Sequence, residues 1–192
     1  MPSQKQFGIE EVLDRAMEAF WESGYEGTSM TRLLDRMGIQ KGSFYATFSS
    51  KHEVFLQAVD RYVRVRFSEF EDAMAGLAPR QAIERMFDSV QEECRYKSGS
   101  RGCFVVNAAL ELAPRDDAVG EVVRRTLKMH QEWIAELLVA GQEDGTITST
   151  GDAASVAKAL LGLIIAMRVY ARAGMPASYA VALRSQAGGL LD

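Results

Sequence analysis

Apolar residues recur at helical spacing along nearly the whole chain, and no other feature restricts its fold so strongly. Ile9, Val12, Leu13, Ala16, Met17 and Phe20 fall three and four apart, the buried stripe of a first helix, with Glu10, Glu11, Asp14, Glu18 and Glu22 on the other faces. Gly24 ends that helix. Thr28 and Ser29 offer hydroxyls to open a second, whose core face is Met30, Leu33, Leu34 and Met37 and whose end is Gly38. A tight connection over Ile39 to Gly42 leads to a third short helix with Phe44 and Phe48 on one side. Ser49-Ser50 then breaks the chain before a long fourth helix striped by Phe55, Ala58, Val59 and Tyr62. Pro79 starts a fifth helix bearing Ile83, Met86, Phe87, Val90 and Cys94. A sixth runs from about Cys103 to Ala113 and stops at Pro114. Asp116 or Asp117 opens a seventh, carrying Val119, Val122, Val123, Thr126, His130, Ile134 and Leu137, which Asp144-Gly145 closes. The eighth, about Asp152 to Ala173, is apolar around much of its circumference, and the last ends near Leu191. No convincing two-residue alternation marks a strand. The expected fold is all-α, with about nine helices.

Composition narrows the function. The net charge is −4 over 192 residues, so the chain is no basic nucleic-acid coat and any such contact must be local. Cys94 and Cys103 are too few for a disulfide framework and lack metal spacing. Met1 to Phe7 has no apolar run, and the longest uncharged apolar stretch, Ala159 to Met167, is far below the ~20 residues of a membrane span. A cytoplasmic protein without cofactor, metal or membrane is expected.

Two short helices joined by a glycine-bearing turn describe a helix-turn-helix. Such a unit needs a second helix held by an apolar back, here Phe44 and Phe48, with polar groups in front. Gln40, Lys41, Ser43, Tyr45 and Thr47 supply these. Between Arg32 and His52 stand Arg32, Arg36, Lys41 and Lys51 against Asp35 alone, a local +3 suited to phosphate.

The order of residues here is more specific. The segment Phe20 to Met30, FWESGYEGTSM, and the segment Leu34 to Lys51, LDRMGIQKGSFYATFSSK, resemble the DNA-binding domain of TetR-family regulators over about a quarter of the chain. Gln40, where the family more often has serine, and Thr47, where it often has histidine, depart from the pattern. The resemblance implies that Thr28 touches phosphate near the second helix. It implies that Lys41, Tyr45, Thr47 and Lys51 grip the backbone, and that Gln40, Gly42 and Ser43 lie nearest base edges. For Tyr45 a half-buried packing role is the alternative. The implied organisation is a helix-turn-helix domain over 1–52 and a ligand-binding and dimerisation domain over 53–192. The implied partners are palindromic double-stranded operator DNA, a small-molecule effector and a second copy of the chain. The implied function is a transcription regulator, a repressor released by ligand or cysteine modification.

The second domain is read from the residues themselves. Small side chains on the last two helices suit a dimer interface or tight packing within one subunit. They are Ala153, Ala154, Ala157, Gly162 and Ala166, then Ala177, Ala180, Ala182, Ala187 and Gly188. Cys103, Asn107 and Glu111 stand four apart as a polar line on the sixth helix, and Arg168 is a single charge inside the apolar eighth. Either Glu111 and Arg168 form a structural ion pair, or they line a pocket with Cys103 and Asn107. His130 and Trp133 are core or pocket wall, as are Met86, Tyr96, Met167 and Tyr170. Cys103, at a helix start near Arg95, Lys97 and Arg101, is a packing residue or a reactive thiol. A helical enzyme is the rival class. Against it, the sequence shows no nucleophile–base arrangement, no metal spacing and no phosphate loop. An adaptor would not need the hydroxyl and lysine pattern from Lys41 to Lys51.

Overall fold

The computed structural model describes residues 8–95 and 101–192; the N-terminal Met1 to Phe7, Tyr96 and Lys97 therefore lie outside the described residues. Nine helices follow one another with no strand among the described residues: α1 Ile9–Ser23, α2 Met30–Met37, α3 Lys41–Thr47, α4 Lys51–Met74, α5 Pro79–Arg95, α6 Phe104–Glu111, α7 Asp117–Glu143, α8 Ala153–Arg172 and α9 Ser178–Gly189.

Capping explains where these helices start. The side-chain oxygens of Ser29, Ser50, Asp116 and Asp152 accept the backbone N–H three residues on, at Arg32, Glu53, Val119 and Ser155. Ser29, not Thr28, therefore caps α2. Gly24 does end α1, but with φ 75° and ψ 177°, a conformation outside the left-handed helical region that only glycine adopts readily. Ile9, expected in the α1 stripe, is 57% exposed, whereas Val12, Leu13, Ala16 and Phe20 are buried.

Two hydrophobic cores form, and their division does not follow the expected boundary at 52/53. The first joins α1, α2, α3 and the first half of α4 to Phe104, Val105, Ala108 and Leu112 of the α6 segment and to Val119, Val122 and Val123 of α7. The second joins Met74, α5, the latter half of α7, α8 and α9. Helix α4 is continuous across both. The small residues of α8 and α9 also divide. Ala157, Ala180 and Ala187 are buried within the protomer, while Ala154, Gly162, Ala177 and Ala182 remain exposed. Ala153–Arg172 as a whole is long and apolar enough to cross a membrane by length and composition.

Candidate nucleic-acid interface and interior cavity

The second and third helices form the expected pair. Leu33 and Met37 of α2, with Phe44 of α3 and Phe48 at its C-cap, are buried. In front, Gln40, Lys41, Gly42, Ser43, Tyr45 and Thr47 are all exposed. Gln40 is the N-cap of α3, but its exposed side chain makes no capping bond. At Gly42 an added Cβ would meet nothing within 4 Å. Thr47 donates its hydroxyl to Ser43 O at 3.1 Å. Tyr45 is half-buried, 52% exposed, with its ring edge-on to Phe44 at 5.2 Å.

Two residues behave otherwise. Thr28 is fully buried, and its hydroxyl donates to Gly24 O at 2.7 Å and Ala19 O at 3.3 Å, so its side chain braces the α1–α2 turn and cannot reach phosphate. Lys51 lays its ammonium 4.0 Å from the centre of the Tyr25 ring, and burial pulls its pKa down. Of the local cations, Arg32 and Arg36 both pair with Glu22, at 3.4 and 3.0 Å, which reduces the positive patch estimated from the sequence window. Lys41 makes no ion pair among the described residues.

Behind this unit, a cavity of about 110 Å³ opens between α4, α5, α7 and α8 and the start of α6. Cys103, His130, Trp133 and Arg168 all line it, as do Tyr62 and Arg66. Burial pushes His130 down, and its Nδ1–H donates to Thr126 O at 2.8 Å, so it faces the cavity as neutral imidazole. The Tyr62 hydroxyl, raised by burial, donates to Cys103 Sγ at 3.7 Å. Cys94, whose Sγ–H donates to Met167 O, is a second free thiol that burial pushes up.

Asn107 and Glu111 are not in this wall. Each four-residue step turns a helix by about 40° beyond a full circle, so a line four apart drifts off its starting face. Asn107 donates to Arg101 O at 2.9 Å. Glu111 reaches the helix-turn-helix head, where its carboxylate accepts the backbone N–H groups of Tyr25 at 3.0 Å and Glu26 at 2.9 Å. The expected Glu111–Arg168 pair therefore does not form; Arg168 pairs with Glu93, whose other oxygen holds Arg66. Sequence reading passed over Glu93, although an acid one turn beyond Val90 on the edge of the α5 stripe is the kind of signal that marks a partner for a buried cation. Of the cations expected beside Cys103, Arg101 pairs with Glu18 and stacks on Trp21.

Three further contacts brace this region, joining α1 to the start of α6, α1 to α4, and α4 to the cap of α7. Trp21 Nε1 donates to Gly102 O at 3.0 Å, just before α6. The Trp21 ring meets Tyr62 edge-on. His52 Nε2 lies 2.6 Å from Asp116 Oδ2, the cap of α7. Helix α6 thus touches the cavity at its start and the α1–α2 turn at its end.

Comparison with known proteins agrees with this architecture. Residues 12–58 match the family described as bacterial regulatory proteins, tetR family, and residues 79–185 match the tetracyclin repressor-like C-terminal domain. The chain is 30% identical over 148 residues to the uncharacterized HTH-type transcriptional regulator YezE of Bacillus subtilis (strain 168), covering 77% of this chain and 76% of that one. It is 28% identical over 173 residues to the HTH-type transcriptional repressor ComR of Escherichia coli (strain K12), covering 88% and 82%. Among solved structures, a cysteine mutant of the TetR family regulator CifR, complexed with 26 bp double-strand operator DNA, superposes with a TM-score of 0.86 at 26% identity over 99% of this chain and 100% of that one.

Proposed function

The chain belongs to the tetR family of bacterial regulatory proteins, and from that premise we propose that it is a homodimeric repressor released from a palindromic operator when its interior cavity is filled or Cys103 is modified. It is a DNA-binding transcription regulator and not an enzyme, and a regulator of this kind works in the cytoplasm beside the chromosome. The observation that carries the operator assignment is the front of α3. Gln40, Lys41, Ser43, Tyr45 and Thr47 stand exposed over a buried Phe44–Phe48 back, and Gly42 leaves open space where only an outside body would need it. In this reading Lys41, Tyr45, Thr47 and Lys51 hold phosphates, and Gln40, Gly42 and Ser43 approach base edges. Residues 1–52 form the DNA-binding part and 53–192 the part that dimerises and responds. Dimerisation through α8 and α9 is supported by the apolar surface that the protomer leaves bare, Val169, Tyr170, Tyr179 and Val181 among it.

Release has two supported routes. The cavity is apolar with few polar groups, the character of an effector site. Cys103 lines it and accepts from Tyr62, and the relative solved on operator DNA is a cysteine mutant. Mobility shift on the chain's own upstream DNA tests the whole reading. Wild type is expected to retard the fragment and to release it after thiol alkylation, with Cys103→Ser resistant. A wild type that retards no upstream palindrome sinks the operator assignment, and equal release from Cys103→Ser reduces Cys103 to a packing residue.

A further inference from the structure

The cavity carries a charge bias that its apolar walls do not explain. Resting on the reading of this cavity as the effector site, we propose that it selects a small monocarboxylate whose apolar body is about one ring in size and whose carboxylate docks on Arg168.

The bias comes from an uneven distribution of partners. Arg66 and Arg168 line the cavity, and no carboxylate does among the described lining residues. Arg66 is engaged through both terminal nitrogens, with Nη1 on Glu69 at 3.0 Å and Nη2 on Glu93. Glu93 has one oxygen on Arg66 and the other on Arg168, so a single carboxylate is shared between two cations. Arg168 donates only from Nη1. Its Nε and Nη2 meet no protein acceptor among the described residues, although its side chain is just 13% exposed. No buried side-chain nitrogen of the described residues lacks a partner, so these two donors look onto open cavity space, and a carboxylate matches both side by side.

The other polar groups on the wall do not compete. His130 is neutral and its Nδ1–H is already donated to Thr126 O; Thr126 donates its hydroxyl to Val122 O at 2.8 Å; Tyr62 donates to Cys103. A neutral carbonyl would meet one of the spare Arg168 donors, whereas a carboxylate meets two through charge-assisted bonds. A cation would face the spare donors of Arg168, which shares its one carboxylate with Arg66. The space limits the body. About 110 Å³ is somewhat less than the ~150 Å³ apolar cavity known to take benzene, so the body is capped at one ring, with its charged group at the Arg168 end.

Benzoate, benzamide and benzamidine share one shape and differ in charge, so they separate the ideas. Each is titrated calorimetrically into the full-length dimer, wild type and Arg168→Gln, with thermal melts alongside. Benzoate is expected to bind wild type roughly tenfold or more tighter than benzamide, benzamidine weakest, and Arg168→Gln to erase the benzoate preference. Glu93 keeps Arg66 in that variant; should it still fail to fold, the wild-type ranking decides by itself. Benzamide equal to benzoate, or benzamidine ahead of both, overturns the charge assignment and leaves the cavity as an effector site. Binding of none of the three overturns the effector-site reading as well.

Discussion

At Gly42 neither packing nor backbone conformation asks for glycine, since a Cβ there meets nothing within 4 Å and φ is not positive. Gly42→Ala is therefore expected to move stability and binding in opposite directions. The melting temperature holds or rises, because alanine is favoured over glycine in a helix by up to about 1 kcal/mol, while operator affinity falls as the added methyl keeps α3 off the groove. A melt and a mobility shift on the same preparation check both signs, and equal affinity would show that nothing approaches Gly42. Lys41→Ala and Tyr45→Phe change exposed side chains, so stability should stay within about 0.5 kcal/mol while specific binding weakens. Loss of Lys41 should also lower the salt dependence of binding by about one counterion. His130 makes a pH prediction. The unfolded chain protonates this residue near its ordinary pKa of 6.5, whereas burial holds the folded value lower. In the window between those two values the unfolded state binds more protons, so stability rises with pH there and falls as the pH is lowered from neutral through 6.5. Thermal melts from about pH 7.5 to 5.5 should show this slope in wild type and a flatter one in His130→Phe, which keeps a ring against Phe67.

Helix α6 acts as a strut between cavity and head. Cys103 at its N-cap lines the cavity, and Glu111 at its last turn holds the Tyr25 and Glu26 amides. A shift of α6 at the cavity end would thus be felt at the turn that leads into α2. Glu111→Ala should leave those two N–H groups without their acceptor. Hydrogen exchange is expected to quicken at Tyr25 and Glu26 far more than in the α4 core, and unchanged protection there would discard the strut. Gly24 belongs to the same joint. Its φ is 75°, and a Cβ would stand 2.6 Å from Glu111 Oε2. Gly24→Ala should both strain the turn and push the carboxylate off, a loss of about 1–3 kcal/mol read from chemical denaturation.

The apolar surface of α8 and α9 matters for the molecule as a whole. Only 17% of the apolar window in Ala153–Arg172 is buried inside one protomer, although its composition would suit a hydrocarbon environment. A second copy covering Val169, Tyr170, Tyr179 and Val181 removes that surface from water, and burial of such area is favourable by roughly 25 cal/mol per Å². Val181→Asp should turn the dimer into a monomer at micromolar concentration in sedimentation and abolish operator binding, because a palindrome needs two recognition helices. A variant that stays dimeric would move the interface away from α9.

Much of this was legible in the linear pattern, because helix periods, caps and glycine stops are local. The stripe of Phe55, Ala58, Val59 and Tyr62, the buried Phe44 and Phe48 and the exposed polar front of α3 all follow from spacing alone. So did the family resemblance, which lies in a contiguous run of residues. Partnerships between distant segments were not legible. Glu93 and Arg168 are 75 residues apart and find each other only when α5 packs on α8. Thr28 and Ser29 are adjacent hydroxyls, and only the fold of the turn decides that one is buried and the other caps. Glu111 looked like a pocket residue because four-residue spacing suggests one face, yet the drift of a real helix carried it to the head. The sequence determined which residues form helices and which face each helix hides. Tertiary packing decided which charges meet, because a side chain's partner is set by the rotation and depth of two helices that the chain order does not specify.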